Sequence, residues 1–240
     1  QIREKGYCVV KDYFKKEFLI KVIRRVNIIY RAEIFLNYLG FGNKERLGGN
    51  TFIGNLILKS KEFIILISEV QKYLDKNDIN EYALSEYFLV SNLSEKYFNE
   101  WWHRDFPHSN ENLKVFDNCS IGFFIPLGEF NSKTGSTKIL PFSNKNIELD
   151  PTKDHSIQIE SNLGDLVVYD PRSFHTGGKN ISNKPRHLLI AIYNRKEFIP
   201  CEDFEKQRKL IFFNSQRKMV NKLYIKRYKP FSNFFGRNKN

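Results

Sequence analysis

His103 and Asp105 stand two residues apart in Trp102-His103-Arg104-Asp105, and His175 closes the segment Asp170-Pro171-Arg172-Ser173-Phe174-His175. Two histidines and one carboxylate can occupy one face of an Fe(II) ion and leave the opposite positions open. Arg186 follows His175 and opens an apolar run. Its guanidinium is a planar fork that grips a carboxylate through two parallel hydrogen bonds, which a keto-acid co-substrate such as 2-oxoglutarate requires. An H-x-D pair by itself is a weak signal, and a surface histidine beside a solvated aspartate is the plain alternative.

The surrounding pattern says how these residues could meet. Side chains alternate along a strand, so His103 and Asp105 point the same way if 101–105 is a strand. Strand-like segments at Cys119–Leu127, Ser136–Leu140, Ile157–Glu160 and Leu166–Tyr169 separate the pair from His175. Another, Arg186–Tyr193, follows the turn Thr176-Gly177-Gly178-Lys179-Asn180. This order suits a small antiparallel barrel that brings the two histidines together. Two helices precede it. Lys15–Leu39 carries Phe18, Val22, Val26 and Ile29 at helical spacing, with Gly40 as a stop. Lys61–Leu74 carries Phe63, Ile64, Ile67, Val70 and Leu74 on one side. The Gly-rich stretch Phe41–Asn55 reads as a loop. Glu202–Tyr228 reads as a charged helix ending in a basic tail.

Read in order, these pieces resemble the phytanoyl-CoA dioxygenase group of Fe(II)/2-oxoglutarate oxygenases. The resemblance runs through Gly6-Tyr7-Cys8-Val9-Val10, the W-H-R-D at 102–105, and Gly135-Ser136-Thr137-Lys138-Ile139-Leu140-Pro141-Phe142-Ser143-Asn144-Lys145. It continues through Gly164-Asp165-Leu166-Val167-Val168-Tyr169, the His175 segment, and Asn180-Ile181-Ser182-Asn183-Lys184-Pro185-Arg186. It covers most of residues 6–195. It implies a mainly β fold with flanking helices: a double-stranded β-helix, jelly-roll or cupin-like, packed by the N-terminal helices. It implies Fe(II) held by His103, Asp105 and His175. It implies 2-oxoglutarate with its distal carboxylate on Arg186, O2 as oxidant, and hydroxylation of an unactivated C–H bond with release of succinate.

The chain departs from the pattern in places. Pro141-Phe142-Ser143-Asn144-Lys145 stands where the family has P-G-S-H-K, so a differently shaped loop is expected. Many members place a Lys or Gln ahead of the H-x-D to touch the co-substrate; here Glu86–Asn92 offers Tyr87, Ser91 and Asn92, and the second contact stays unassigned. Asp105 is retained, which disfavours the halogenating branch that lacks it. Arg195 lies too far from Arg186 to match the DNA-repair dioxygenases, so nucleic acid is disfavoured as a partner.

Several other residues invite two readings. Trp101 and Trp102 could shape a substrate pocket but read more readily as packing aromatics. His108 could touch substrate or stand in a solvated loop. His155 reads as surface loop. His187, adjacent to Arg186, should face the other side of its strand.

The chain of 240 residues reads as a single oxygenase domain, with a helical part at about 12–75, a barrel core at about 83–196 and a basic tail at about 202–240. At 41% hydrophobic and 15% aromatic it can bury a sizeable core. Cys8, Cys119 and Cys201 are widely spaced and form no disulfide or metal pattern, which fits a reducing, cytoplasmic setting. Gln1 reads as lying inside an ongoing element, with the true N-terminus upstream. The net charge of +12 favours anionic partners. Lys222-Leu223-Tyr224-Ile225-Lys226-Arg227-Tyr228-Lys229, followed by Phe231, Phe234 and Phe235, suits peripheral contact with a membrane interface or single-stranded nucleic acid. A solvated helix whose aromatics cap the core is the plainer alternative. The expected substrate is a small or conjugated molecule, anionic in the reading that uses this charge. Two rivals stay open: a catalytically silent barrel that binds an anionic partner, and a cupin-type metalloenzyme that uses no 2-oxoglutarate. Oligomeric state is not legible.

Overall fold

A computed structural model describes residues 1–38, 46–47, 50–53, 61–77, 79, 81–92, 101–105, 119–146, 148–151 and 154–195. In chain order its elements are α1 (Ile2–Lys5), β1 (Tyr7–Val10), α2 (Lys16–Tyr38), β2 (Arg46–Leu47), β3 (Asn50–Ile53) and α3 (Lys61–Lys76). There follow β4 (Tyr82–Asn92), β5 (Ser120–Pro126), β6 (Thr137–Ile139), β7 (Ile157–Gln158), β8 (Leu166–Tyr169), β9 (His175–Gly177) and β10 (Arg186–Arg195). The protein is mainly β, and every strand pairing is antiparallel.

The strands form two sheets. The larger runs β1-β8-β5-β10-β4-β3-β2 and the smaller β7-β6-β9. From β5 onward the chain passes from the large sheet to the small one at β6, returns at β8, crosses again at β9 and returns at β10. No ladder closes the two sheets into a barrel among the described residues.

The large sheet is covered on both faces, which is why its central strands are apolar throughout rather than alternating. Every residue of β5 and β8 is buried. On one face Phe123, Ile125, Leu189, Ala191 and Tyr193 share a core with Leu19, Val22 and Val26 of α2 and Phe63, Leu66, Val70 and Leu74 of α3. On the other, Phe124, Val167, Tyr169 and Leu188 meet Phe130, Ile139 and Ile159 between the sheets. Each fully buried side chain of this size contributes about 1.5–3 kcal/mol. Strand alternation therefore assigns two destinies along β10. Leu188 and Ile190 enter the inter-sheet core, while Leu189, Ala191 and Tyr193 face the helices.

The helix expectations hold within a residue or two at each end. In α3 the buried stripe includes Leu66, while Ile64 is only partly buried. The stretch expected to be a loop, Phe41–Asn55, contains β2 and β3, which extend the large sheet along β4. Asn50-Thr51-Phe52-Ile53 is β-branched and aromatic enough for a strand, and its glycine-rich flanks hid it. The segment 101–105 is not a strand: it makes one isolated antiparallel bridge, His103 with His175. Phe142 sits at φ 65°, in the left-handed region, so the glycine missing from that loop has not removed the left-handed turn. A residue with a Cβ costs roughly 1–2 kcal/mol there. The expectations for His108, Cys201, Gly40 and the tail from 202 lie outside the described residues. No helix among the described residues is long and apolar enough to cross a membrane.

Candidate metal centre

The two histidines meet through their backbones. His103 N–H donates to His175 O and His175 N–H donates to His103 O, each at 3.0 Å. This two-way exchange is the hydrogen-bonded pair of an antiparallel ladder, and it sets the side chains of the pair side by side. The imidazole centroids lie 4.3 Å apart. Asp105 is held separately, its N–H donating to Pro171 O at 2.8 Å.

Both rings are oriented by the same device. His103 Nδ1 lies 3.1 Å from Trp101 O, and His175 Nδ1 lies 3.0 Å from Ser173 O. A carbonyl only accepts, so each Nδ1 carries the hydrogen and each Nε2 presents a lone pair. His103 Nε2 is 3.6 Å from Asp105 Oδ1, and His175 Nε2 is 3.4 Å from Asp105 Oδ2. The three ligand atoms lie within 4.8 Å of one another. An ion with bonds of about 2.0–2.2 Å places donors at right angles roughly 3 Å apart, so a small closure of this cluster would hold one. The side-chain exposure falls from 26% at His103 to 18% at Asp105 and 6% at His175, so the cluster opens on the His103 side.

Aromatic groups wall the cluster. The indole of Trp101 stacks on His103. Tyr169 packs edge-on to His175, and Phe124 stacks beneath Tyr169. The Tyr169 hydroxyl donates to Asp105 Oδ2 at 2.6 Å. Sequence reading missed this contact; its only trace was that alternation along β8 turns Val167 and Tyr169 to the same side. Trp101, which reads as a packing aromatic or a wall of the substrate pocket, is half exposed and packs against a candidate ligand.

Arg186 is buried, and neither its Nε nor its Nη1 has a hydrogen-bond partner among the described residues. Its guanidinium carbon sits 5.4 Å from the Phe130 ring centroid, in the same inter-sheet core as Phe124 and Tyr169. Burial pulls its pKa down to about 10, so it stays charged at neutral pH. An uncompensated buried cation costs several kcal/mol, and a carboxylate ligand would remove that cost.

Strand alternation sends His187 the other way, as expected. It lies 2.6 Å from Ser91 Oγ and 3.2 Å from Asn27 Oδ1 of α2, away from the cluster. Burial, then the neighbouring Arg186 charge, lower its pKa to about 4. Ser91 is thereby withdrawn as a co-substrate contact. Asn92, paired with Arg186, spends its Nδ2 on Gly178 O. Asn144, where the pattern has a histidine, donates to Asp170 Oδ2, which also pairs with Arg172. His155 is exposed.

The sequence profile described as Phytanoyl-CoA dioxygenase (PhyH) matches residues 69–188, half of the chain. "Dioxygenase olcK" of Penicillium canescens is 26% identical over 221 residues, 84% of this chain and 70% of that protein. AviO1 from Streptomyces viridochromogenes Tue57 superposes with a TM-score of 0.63 at 16% identity, over 83% of this chain and 94% of that one. The epimerase SnoN, solved with Fe3+, alpha ketoglutarate and nogalamycin RO, superposes with a TM-score of 0.60 at 15% identity, over 81% and 80% of the two chains. At those identities the two superpositions speak to the fold.

Proposed function

The chain belongs to the phytanoyl-CoA dioxygenase family and is a non-heme Fe(II)/2-oxoglutarate oxygenase, and from that premise we propose that it hydroxylates an unactivated C–H bond of a small-molecule, glycan or lipid-linked substrate. Its cofactors are Fe(II), 2-oxoglutarate and O2. Bound in the cluster, Fe(II) would activate O2, the oxidant, with 2-oxoglutarate supplying two electrons and leaving as succinate, which takes one oxygen atom, and carbon dioxide.

In this reading His103 and His175 offer Nε2 and Asp105 the one anionic donor. Arg186 takes the distal carboxylate of 2-oxoglutarate. Phe124, Phe130 and Tyr169 keep water from the buried side of the site, so the substrate enters over His103. The passage of β5 to β10 between the two sheets supports the double-stranded β-helix. The net charge of +12 supports an anionic substrate or an anionic surface that carries it.

The observation that carries the proposal is the buried guanidinium of Arg186, whose Nε and Nη1 have no hydrogen-bond partner among the described residues and which lies by Phe130 in the core that also walls the His-Asp-His cluster. The test is succinate release by the iron-loaded protein, screened against phosphorylated sugars, acidic glycans, anionic lipids and neutral counterparts. A product that gains one oxygen atom, matched by succinate, supports hydroxylation. Binding of neither iron nor 2-oxoglutarate leaves the silent barrel. Turnover that ignores 2-oxoglutarate leaves the cupin-type enzyme.

A further inference from the structure

Tyr169 is fully buried at the end of β8. Two features place its hydroxyl. Its ring stacks on Phe124, centroids 4.0 Å apart and planes 14° apart. Its cross-strand partner is Gly122, and a Cβ there would collide with the tyrosine ring. The bare glycine is therefore the notch that lets the ring lie flat across β5. Held this way, the hydroxyl reaches Asp105 Oδ2 at 2.6 Å. An O–H donor on a carboxylate at that distance is a charge-assisted bond, about twice as strong as a neutral one.

We propose that Tyr169 is the positioning residue for the anionic ligand: by holding Oδ2 of Asp105 it makes the carboxylate bind metal through Oδ1 alone. Asp105 is anchored by its backbone N–H to Pro171, but its carboxylate is free to rotate about its side-chain bonds unless something fixes it. The two imidazoles already have such a fix, in the carbonyls of Trp101 and Ser173. Tyr169 gives the third donor its equivalent. Confining the carboxylate to one oxygen also keeps a coordination position from being taken by Oδ2. That position is needed by a chelating co-substrate. Partners that orient a ligand in this way typically change metal affinity by about tenfold to a hundredfold when removed. The inference rests on the ligand assignment proposed above.

The experiment is an anaerobic titration of the metal-free protein with Co(II), read by visible absorption and paired with thermal melting. Tyr169→Phe keeps the ring, its stack and its notch, and deletes the hydroxyl. The expected result is a fall in Co(II) affinity of about tenfold or more. Weaker visible bands should accompany it, as Oδ2 becomes free to chelate and coordination rises. Phe124→Leu is the control for packing, because it removes the stack and leaves the hydroxyl. It should lower the melting temperature more than Tyr169→Phe and affinity less. Unchanged Co(II) affinity and spectrum in Tyr169→Phe overturn the proposal. If the parent protein binds no Co(II) at all, the ligand assignment itself fails, a result distinct from either.

Discussion

The indole of Trp101 lies flat on the imidazole of His103, with ring centroids 4.5 Å apart and planes only 10° apart. The same residue's carbonyl takes the His103 Nδ1 hydrogen. One residue thus fixes both the plane and the tautomer of a candidate ligand. The chain has two tryptophans, and they are adjacent, so all its indole emission arises beside this cluster.

Fluorescence should therefore report metal directly. Adding Co(II) under anaerobic conditions should quench most of the tryptophan emission, with a midpoint that matches the absorption titration. Trp101→Phe should lose most of that response and keep an aromatic face on His103. Emission indifferent to metal in the parent would mean that the ion binds away from His103.

Asp105→Ala removes the single negative charge among the three donors. Iron content should fall from near stoichiometric to near zero, measured on the same sample as the melting curve. The fold should survive with a lowered melting temperature, because the backbone tie of residue 105 to Pro171 remains while the buried Tyr169 hydroxyl loses its carboxylate acceptor. Full iron occupancy in the mutant would sink the assignment of the three ligands.

Arg186 makes two opposite predictions for stability. Without co-substrate, Arg186→Met should melt at a higher temperature than the parent, since it replaces a buried charge whose Nε and Nη1 have no partner among the described residues with a side chain of similar length. With 2-oxoglutarate present the parent should gain stability by mass action, and the mutant should gain none. Arg186→Lys keeps the charge but loses the fork, and the apparent affinity for 2-oxoglutarate should fall at least roughly tenfold, given about 1.5–3 kcal/mol for a charged hydrogen bond. Equal affinity in parent and lysine mutant would assign the co-substrate to another cation.

His187 should give the protein an acid-sensitive stability. Its folded pKa, about 4, lies below the ordinary value of 6.5, chiefly because burial disfavours the charged ring. Below pH 6.5 the unfolded chain takes up a proton that the folded chain refuses, so stability is lost as pH falls from about 6.5 toward 4. The slope is at most about 1.4 kcal/mol per pH unit for one proton. His187→Gln should be less stable at pH 7, having lost the fit to Ser91 and Asn27, but its stability should vary less over that interval. Denaturant melts at several pH values decide it, and parallel profiles for parent and mutant would place the sensitivity elsewhere.

Periodicity alone was enough for much of this protein. Apolar spacing identified α2 and α3, because a helix that buries one stripe must repeat it every three to four residues. Continuous apolar runs identified β5, β8 and β10, because strands covered on both faces have no polar side to show. Alternation placed Arg186 and His187 on opposite faces of β10. It also put His103 and Asp105 on one side, although 101–105 pairs at a single bridge rather than along a ladder.

Tertiary structure decided which faces meet. Nothing local in Gly122 or Tyr169 says that one is the notch for the other, since they pair only when β5 and β8 lie side by side. The hydroxyl of Tyr169 finds Asp105 across 64 residues of chain. Ser91 looked as available to a ligand as Asn92 until α2 came to rest on its side of the sheet and His187 took its hydroxyl. Strand patterns state which side a residue faces, because that follows from backbone geometry. They do not state what stands on that side, because the packing of distant segments settles it.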